Sequence, residues 1–329
     1  MFLVPSPGTF LLPRQVIFSG PCRSNTILFQ VAGNVVAPRG LWTSDVTSSW
    51  ISFRYISGLS IYGSGKFDGQ GFDWWACRTS RSVGVAFCDG FRLYGVTFAN
   101  SPSKHLTLFG SQWAVIDGIT VSSPQDSPNT DGLLIQQCQH VQVTSSSFAS
   151  GDDCVAIGTG SSDVNISQIT CGPGHGISIG SLGGGGSRAE VENVRVSSCN
   201  FFNTMFGARI KTWPGGSGFA REISFEDITF TAVQYPVIID QYYCGGAAGC
   251  PNKASAVEVS NVRYVGLAGT SASNKAIRLE CSKNVPCTGI LLDNVVIRSA
   301  VRGKPTSSSC YNARGWTKDQ VVPTVPCLA

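Results

Sequence analysis

Charge is scarce in this 329-residue chain, because only 13% of its residues are Asp, Glu, Lys or Arg. The 24 Lys and Arg side chains outnumber the 20 Asp and Glu side chains only slightly and form no basic cluster, so nucleic acid is not an expected partner. The chain also lacks an apolar run of about 18 residues, the length that a membrane helix needs. We therefore expect neither a nucleic-acid-binding nor a membrane-spanning protein.

The sequence also has no amphipathic helical pattern, and Met1 to Pro13 has neither the basic region nor the cleavage site of a signal peptide. It is rich instead in glycine, with 38 residues, and in cysteine, with 13. Many glycines indicate many turns. Thiols at this density are a liability in a reducing cytosol, so we expect a secreted, extracellular protein even though Met1 to Pro13 does not resemble a signal peptide.

A short apolar pattern recurs along the chain. It reads apolar-x-apolar-x-x-(small or apolar)-x-apolar, as in Phe91, Leu93, Val96 and Phe98. Its eight copies begin at Phe91, Ala114, Val141, Val164, Val194, Ile223, Val257 and Ile290. Alternation at period 2 over such short stretches predicts strands, and their return without intervening helices predicts coils of constant core and variable loops.

The period of this repeat indicates the fold class. Successive copies start between 23 residues (91 to 114) and 34 residues (223 to 257) apart. We predict an all-β protein, a right-handed parallel β-helix, forming a single domain over residues 1–329. A β-sandwich is the alternative, but sandwich strands recur about every 8 to 12 residues and show no such long repeat.

A second set of apolar runs lies between the copies, and polar clusters precede or interrupt these runs. The runs are 133–135, 155–157, 177–179 and 208–210. If they stack in register, Asp131, Asp153 and His175 form one column, each two residues before its run, and Asp152 stands one position further back. Neighbouring strands are about 4.8 Å apart, so we expect the carboxylates to be close. Each cluster alone is an ordinary loop pattern, but their agreement in register indicates a site.

Two cations accompany the carboxylates. Arg209 and Lys211 flank the inward Ile210, so strand alternation turns both to the outer face, where small neighbours such as Ser178 and Gly180 leave a trough for an anionic sugar. Crowding predicts that one carboxyl pKa is raised, giving a general acid while the others stay ionised and orient water. Arginine and lysine suit charge-assisted hydrogen bonds to a carboxylate. The set indicates hydrolysis of an acidic sugar chain, with no metal and no organic cofactor.

Four motifs occur in order, SPNTDG at 127–132, GDDC at 151–154, CGPGHGISIG at 171–180 and RIKTW at 209–213. They resemble the signature segments of plant-type polygalacturonases, glycoside hydrolase family 28. The resemblance runs from about Gly8 to near the C-terminus. It implies hydrolysis of α-1,4 bonds between galacturonic acid units of pectin, with inversion, by a monomer whose partner is polygalacturonic acid.

The resemblance also implies a role for each polar residue of the motifs. The expected catalytic residues are Asp131, Asp152, Asp153 and His175. The expected substrate-binding residues are Arg209, Lys211, Tyr243 and, from the first motif, Asn129. Within the catalytic set, Asp152 is the general acid and the other two carboxylates hold and activate the attacking water. His175 supports the protonation of the acid.

Two alternatives to this function stay open. One is a pectate or pectin lyase on the same fold, and the other is a non-catalytic pectin-binding protein of the cell wall. The predicted carboxylate spacing of roughly 5 Å is usual for retaining glycosidases, whereas inverting pairs are about 6.5 to 9.5 Å apart. We follow the resemblance, because two carboxylates that hold one water need less room. Endo or exo action is not determined by these residues.

The cysteines predict a set of disulfide bonds. The resemblance supports Cys154–Cys171, Cys281–Cys287 and Cys310–Cys327, and proximity alone suggests Cys77–Cys88 and Cys244–Cys250. Cys138 and Cys199 fall on strand positions and are expected to be buried thiols, and Cys22 is left without a partner.

Family members begin with a further segment that includes an N-terminal cap, so we expect that cap to be missing. The sequon at Asn165 is expected to face outward.

Overall fold

The structure is a computed structural model that describes residues 1–41, 49–76, 82–245 and 251–328. The chain divides into two compact units, Met1–Val155 (unit 1) and Ala156–Ala329 (unit 2). Within the described ranges, regular structure is almost entirely β, and the helical elements are two 3-10 turns, Gly71–Asp73 and Gly184–Gly186. No helix in these ranges is both long and apolar enough to cross a membrane.

The strands are short and follow one another closely. In unit 1 they are β1 (Phe2–Val4), β2 (Thr9–Leu11), β3 (Val16–Ser19), β4 (Ile27–Val31), β5 (Asn34–Val36), β6 (Ser49–Arg54), β7 (Leu59–Tyr62), β8 (Lys66–Asp68), β9 (Ser82–Ala86), β10 (Arg92–Tyr94), β11 (Thr97–Ala99), β12 (Leu106–Phe109), β13 (Gln112–Asp117), β14 (Thr120–Ser122), β15 (Leu133–Gln136), β16 (Gln139–Thr144) and β17 (Ser147–Ala149). The strands that follow are β18 (Val155–Ile157), β19 (Ser161–Ser167), β20 (Thr170–Cys171), β21 (Ile177–Leu182), β22 (Arg188–Ser197), β23 (Asn200–Phe202), β24 (Phe206–Thr212), β25 (Ser217–Glu226), β26 (Thr229–Val233), β27 (Tyr235–Asp240), β28 (Glu258–Ser271), β29 (Lys275–Glu280), β30 (Cys287–Ser299), β31 (Ser307–Tyr311) and β32 (Ala313–Val322).

Unit 1 contains three parallel ladders, because each strand pairs with the third strand after it in the chain. The first ladder is β1, β4, β7, β10, β13 and β16. The second is β2, β5, β8, β11, β14 and β17. The third is β3, β6, β9, β12 and β15. Three strands therefore make one coil, which is the parallel β-helix that the repeat predicts.

Unit 2 is built from the same coil. Its first ladder is β19, β22, β25, β28, β30 and β32. Its second is β20, β23, β26 and β28. Its third is β21, β24, β27, β29 and β31. The long strand β28 takes part in two ladders, so one continuous strand there replaces two short ones.

The core consists of inward side chains that stack from coil to coil. In unit 1, Leu93 lies opposite Ile61 on one side and Ile116 on the other, and all three side chains are buried. In unit 2 the rings of Phe225 and Tyr264 are nearly parallel, with centroids 5.4 Å apart. Period-2 alternation makes such columns possible, because register partners point to the same face. Burial of these apolar columns is the main stabilising contribution to the coil.

The ladder register corrects one copy of the repeat. Ile223 pairs with Val262, and Val262 pairs with Ile290, so the seventh coil begins at Val262 and the prediction of Val257 is wrong. The alternation of β28 extends upstream of Val262 and imitates an earlier start. Gly269 also occupies the last position of the true copy, where the pattern requires an apolar residue.

A further coil begins at Leu59, since the next residue, Ser60, pairs with Arg92 just after the copy at Phe91. The pattern missed it because Ile61 and Phe67 are six positions apart, whereas their register partners Leu93 and Phe98 are five apart. The extra residue lies in 63–65, Gly-Ser-Gly.

In three of the predicted disulfide pairs, both cysteines are disulfide-bonded. Cys281 is bonded to Cys287, and Cys310 is bonded to Cys327. Cys154 and Cys171 are each disulfide-bonded as well. In the loop after β27, Cys244 is disulfide-bonded, but its expected partner, Cys250, lies outside the described residues.

The other cysteines within the described ranges are thiols. Cys88 is a buried thiol, which contradicts its expected bond to Cys77, a residue outside the described ranges. Cys138 and Cys199 are buried thiols, as expected from their strand positions, and burial raises the pKa of Cys199 to about 11. Cys22 is exposed. Buried thiols of this kind are packing elements rather than nucleophiles.

The corrected register predicts a large loss of stability for Leu267→Ala. Leu267 is fully buried and belongs to the coil that starts at Val262, whereas a coil starting at Val257 ends before it. We expect the variant to lower the free energy of unfolding by about 2–5 kcal/mol, because it leaves a cavity in the core. Leu41→Ala, at an exposed leucine, is the matched control and changes it by no more than about 0.5 kcal/mol. Urea unfolding measures both, and equal effects would contradict the register.

Candidate active site

The carboxylates of unit 1 precede strands of one parallel ladder. The N–H of Gly132 donates to the carbonyl of Asp153 at 2.9 Å, and the N–H of Leu133 donates to the carbonyl of Cys154 at 3.1 Å. In a parallel ladder these bonds set Asp131 opposite Asp153, as the column alignment predicts. Asp131 is 8% exposed and Asp153 is fully buried.

Asp152 is the more accessible of the two adjacent carboxylates. Its Oδ1 accepts the N–H of Asp153 at 2.8 Å, and its carbonyl accepts the hydroxyl of Ser150 at 3.2 Å. Its side chain is half-buried, whereas Asp153 has no exposed surface. The carboxyl group of Asp152 is therefore held in place and still reaches solvent, as a group that exchanges protons with a bound molecule must.

The loops that carry the carboxylates are tied together by Thr130. Its hydroxyl donates to the carbonyl of Ser127 at 2.9 Å and accepts the N–H of Gly151 at 2.9 Å. A Cβ at Gly151 would collide with the carbonyl oxygen of Ser127, so only glycine permits this close approach of the two loops. Thr130 itself is fully buried. These contacts explain why a threonine precedes Asp131 and a glycine precedes Asp152.

Asn129 is placed in the same loop. It is exposed, its backbone is left-handed with φ 56°, and its carbonyl accepts the hydroxyl of Ser103 at 3.3 Å. Asparagine tolerates this conformation better than most residues, which accounts for its presence at the turn before Asp131.

A cation that the sequence patterns missed lies beside Asp131. The N–H of His105 donates to the carbonyl of Asp131 at 2.8 Å, which sets Lys104 opposite Asp131, and the Lys104 Nζ lies 3.7 Å from the carboxylate. Lys104 stands two residues before Leu106, the same position that Asp131 and Asp153 hold relative to their own strands. Extending the column by one strand would have found it.

His105 supports the same loop from the core side. Its Nδ1 lies 3.1 Å from the carbonyl oxygen of Asp131, and its Nε2 lies 2.8 Å from the hydroxyl of Ser123. Burial lowers the pKa of His105 to about 4, although hydrogen bonds to backbone groups oppose this effect. The imidazole is therefore neutral near pH 7 and acts as a structural hydrogen-bonding group.

In unit 2, aromatic rings occupy successive register positions at the beginning of the third ladder: His175 just before β21, Phe206 at the start of β24 and Tyr235 at the start of β27. The ring of His175 meets Phe206 edge to face, with centroids 5.9 Å apart. Phe206 stacks on its register partner Tyr235, with centroids 5.8 Å apart. The sequence patterns missed Phe206, but it stands before Ala208 as His175 stands before Ile177. The ring of Phe206 therefore fixes one side of the half-buried imidazole.

The two predicted cations lie on the outer face of this ladder, but they are enclosed. Arg209 is opposite Ser178, as predicted, yet Arg209 and Lys211 are only 5% and 6% exposed. The guanidinium carbon of Arg209 lies 3.8 Å from the centroid of Phe206. Both cations also lie within 5.5 Å of the ring of Tyr243. The rings of Phe206 and Tyr243 thus narrow the trough that was expected in front of Arg209 and Lys211. Cation–π contacts place Tyr243 beside both cations.

Acidic side chains follow the cations along the ladder. Lys211 is opposite Asp240, and Asp240 is opposite Glu280. Burial raises the pKa of Asp240, against a hydrogen bond that its Oδ1 accepts from the N–H of Tyr242 at 2.9 Å. Glu280 is held by Arg278 at 2.7 Å. Along this column of unit 2, Lys211 is therefore followed by two carboxylates, those of Asp240 and Glu280.

The chain matches the model of the family described as "Glycosyl hydrolases family 28" over residues 1–321. It is 44% identical over 334 residues to a probable polygalacturonase of Arabidopsis thaliana, covering 99% of this chain and 73% of that protein. It is 40% identical over 331 residues to a polygalacturonase of Prunus persica, covering 98% of this chain and 83% of that protein.

Solved structures show the same fold. The endo-xylogalacturonan hydrolase from Aspergillus tubingensis superimposes with a TM-score of 0.77 at 22% identity, covering 96% of this chain and 92% of that chain. The polygalacturonase from Erwinia carotovora ssp. carotovora superimposes with a TM-score of 0.71 at 21% identity, covering 92% and 87%. At these identities the likeness concerns the fold alone.

The buried His105 predicts a specific loss of stability in acid. Between pH 6.5 and about 4 the unfolded chain binds a proton at this imidazole and the folded chain does not, so stability falls as the pH falls through this window. The contribution amounts to roughly 3 kcal/mol for a shift of this size. We expect His105→Gln to remove that part of the pH dependence. Urea unfolding of both proteins at pH 7 and pH 4 measures it, and an identical pH dependence in the two would contradict the assignment.

Proposed function

Because the chain belongs to glycosyl hydrolase family 28, we propose that it hydrolyses the α-1,4 bonds between galacturonic acid units of pectin, as a polygalacturonase. The observation that carries the proposal is the arrangement in unit 1, where Asp131 is opposite Asp153. Asp152, the residue before Asp153, is more accessible to solvent. Three carboxyl groups in distinct environments suit an acid and a water-activating pair.

In the proposed reaction, Asp152 donates its proton to the glycosidic oxygen as the bond from C1 to that oxygen breaks. A water molecule attacks C1 from the opposite face of the sugar and transfers its proton to the carboxylates of Asp131 and Asp153. The product is a hemiacetal of inverted configuration. Lys104, 3.7 Å from Asp131, favours the ionised form of that carboxylate. The raised pKa of one carboxyl group stays a prediction.

Substrate binding is assigned to the cations of unit 2. Arg209 and Lys211 bind a carboxylate of the galacturonate chain by charge-assisted hydrogen bonds. Their enclosure by Phe206 and Tyr243 supports this role, because a cation shielded from water attracts an anion more strongly. We assign His175 to supporting the protonated acid and Tyr243 and Asn129 to contacts with the sugar.

The location and the state of the protein are part of the proposal. Disulfide bonds at Cys281–Cys287 and Cys310–Cys327 support an oxidising, extracellular compartment such as the cell wall. Asn165, in the sequon, is exposed and therefore accessible to glycosylation. We propose that the protein acts as a monomer, that residues 1–329 form one domain, and that pectin is its partner.

The direct test is Asp152→Asn. We expect the release of new reducing ends from polygalacturonate to fall by about 10²–10⁴-fold, because the amide cannot supply the proton. Asp319→Asn, at an exposed carboxylate of β32, is the matched control and keeps activity. Unsaturated products that absorb in the ultraviolet would indicate a lyase instead. Equal rates for Asp152→Asn and the parent, or no reducing ends from either, would overturn the assignment.

The ion pair of Lys104 and Asp131 predicts a separate effect. We expect Lys104→Met to lower kcat by roughly tenfold with little change in KM, because without the neighbouring cation a smaller fraction of Asp131 is ionised and able to accept the proton of the water. Lys104→Arg keeps the charge and restores most of the rate. Since one partly exposed ion pair contributes at most about 1 kcal/mol to stability, thermal unfolding should change little. Wild-type kcat in Lys104→Met would exclude this role.

A further inference from the structure

An aromatic shelf lies on the first ladder of unit 1, away from the carboxylates on the third ladder. It consists of Trp113 in β13 and His140 in β16, whose flanking residues pair in register. The indole and imidazole are parallel to within 15°, with ring centroids 3.9 Å apart. Trp113 is 62% exposed, although an indole of this size is usually buried in a core.

The backbone at the shelf follows the regular turn of the coil. Trp113 and His140 both have left-handed backbones, with φ 59° and 55°, and Gly58 and Gly90 have the same conformation at the same position of their own coils, with φ 66° and 67°. Bulky residues seldom occupy such a position. Here it turns both rings outward, so that they stack on each other in the direction of the ladder. One face of the indole rests on His140, and the other face is directed toward the preceding coil.

The preceding coil leaves that second face uncovered. Because Arg92 pairs with Val115, Gly90 is opposite Trp113 in the register of the ladder. Because Arg92 also pairs with Ser60, Gly58 holds the same position in the coil before Gly90. A Cβ at Gly90 would meet only the backbone of Gly58, at 3.9 Å. Coils repeat at about 4.8 Å. The stack of Trp113 on His140 shows that the spacing between neighbouring coils is wide enough for one flat ring.

Polar groups border this space on two sides. Asp89 is exposed, and its Oδ1 accepts the N–H of Gln112 at 2.8 Å. Arg92 is also exposed, and its guanidinium donates to the hydroxyl of Tyr94 at 3.3 Å. An acceptor and a donor that both reach solvent thus lie within two residues of Gly90, on the coil that the open aromatic face is directed toward.

We propose that this shelf is a second carbohydrate-binding site, which takes the pyranose ring of a polysaccharide. A pyranose has C–H groups on its face and hydroxyl groups at its edge. The C–H face packs on the negative face of the Trp113 indole, and the hydroxyls bond to Asp89 and Arg92. The site binds without catalysing a reaction, so it holds the protein on a polymer independently of the hydrolysis proposed above.

The test compares migration in native gels that contain polygalacturonate, neutral β-1,4-linked galactan or no polymer. All proteins carry Asp152→Asn, so that the polymer is not cleaved. Trp113→Ala removes the shelf. Gly90→Asn leaves the indole in place and covers its open face, and asparagine tolerates the left-handed backbone there, φ 67°. Trp316→Ala, at an indole that is 50% exposed in unit 2, is the matched control.

We expect Trp113→Ala and Gly90→Asn each to weaken binding to at least one polymer by about tenfold, while Trp316→Ala binds as the parent does. An effect confined to galactan identifies a neutral pyranose, and an effect in polygalacturonate identifies a uronate. Parent-like retardation of Gly90→Asn in both gels would overturn the proposal, even if Trp113→Ala fails to fold. A failure of the hydrolytic proposal appears separately, as an absence of reducing ends from the parent without Asp152→Asn.

Discussion

The parallel main-chain ladder is the constraint on which everything else depends. Each coil accepts and donates hydrogen bonds to the next at a fixed register, so a side chain has neighbours decided by its position in the coil and not by its distance along the chain. Asp131 and Asp153 are 22 positions apart in sequence and directly opposite in the third ladder. The same rule stacks apolar residues inside and places polar residues outside, so one set of bonds determines both the core and the candidate site.

The ladder also makes small residues as important as charged ones. Gly151 lets the carbonyl of Ser127 approach the loop of Asp152, and the hydroxyl of Thr130 then joins the two loops. Gly90 and Gly58 have the opposite effect and leave one face of Trp113 open. At Gly151 the missing side chain lets two loops approach each other, and at Gly90 and Gly58 it leaves open space beside an indole. Loop chemistry on a rigid coil is thus the means by which this fold acquires distinct surfaces.

Much of this arrangement could be predicted from the sequence, because period 2 and the coil repeat both act through local alternation. The parallel β-helix and the opposition of Asp131 and Asp153 follow from that alternation. The copy at Val257 was wrong because a long strand repeats the same alternation without marking where its coil begins. Lys104 and Phe206 were missed because no motif surrounds them and only their column position reveals them. The enclosure of Arg209 could not be predicted, since it depends on how the rings of Phe206 and Tyr243 turn in three dimensions.

The central claim is that a water molecule held by carboxylates displaces the leaving sugar directly while Asp152 protonates the glycosidic oxygen. The most direct test is the configuration of the first product, followed by proton NMR from the first moments of hydrolysis of an oligogalacturonate, before the anomers equilibrate. Direct displacement at an α-1,4 bond predicts that the β anomer appears first. If the α anomer appears first, a covalent intermediate forms and the roles assigned to Asp131, Asp152 and Asp153 are contradicted.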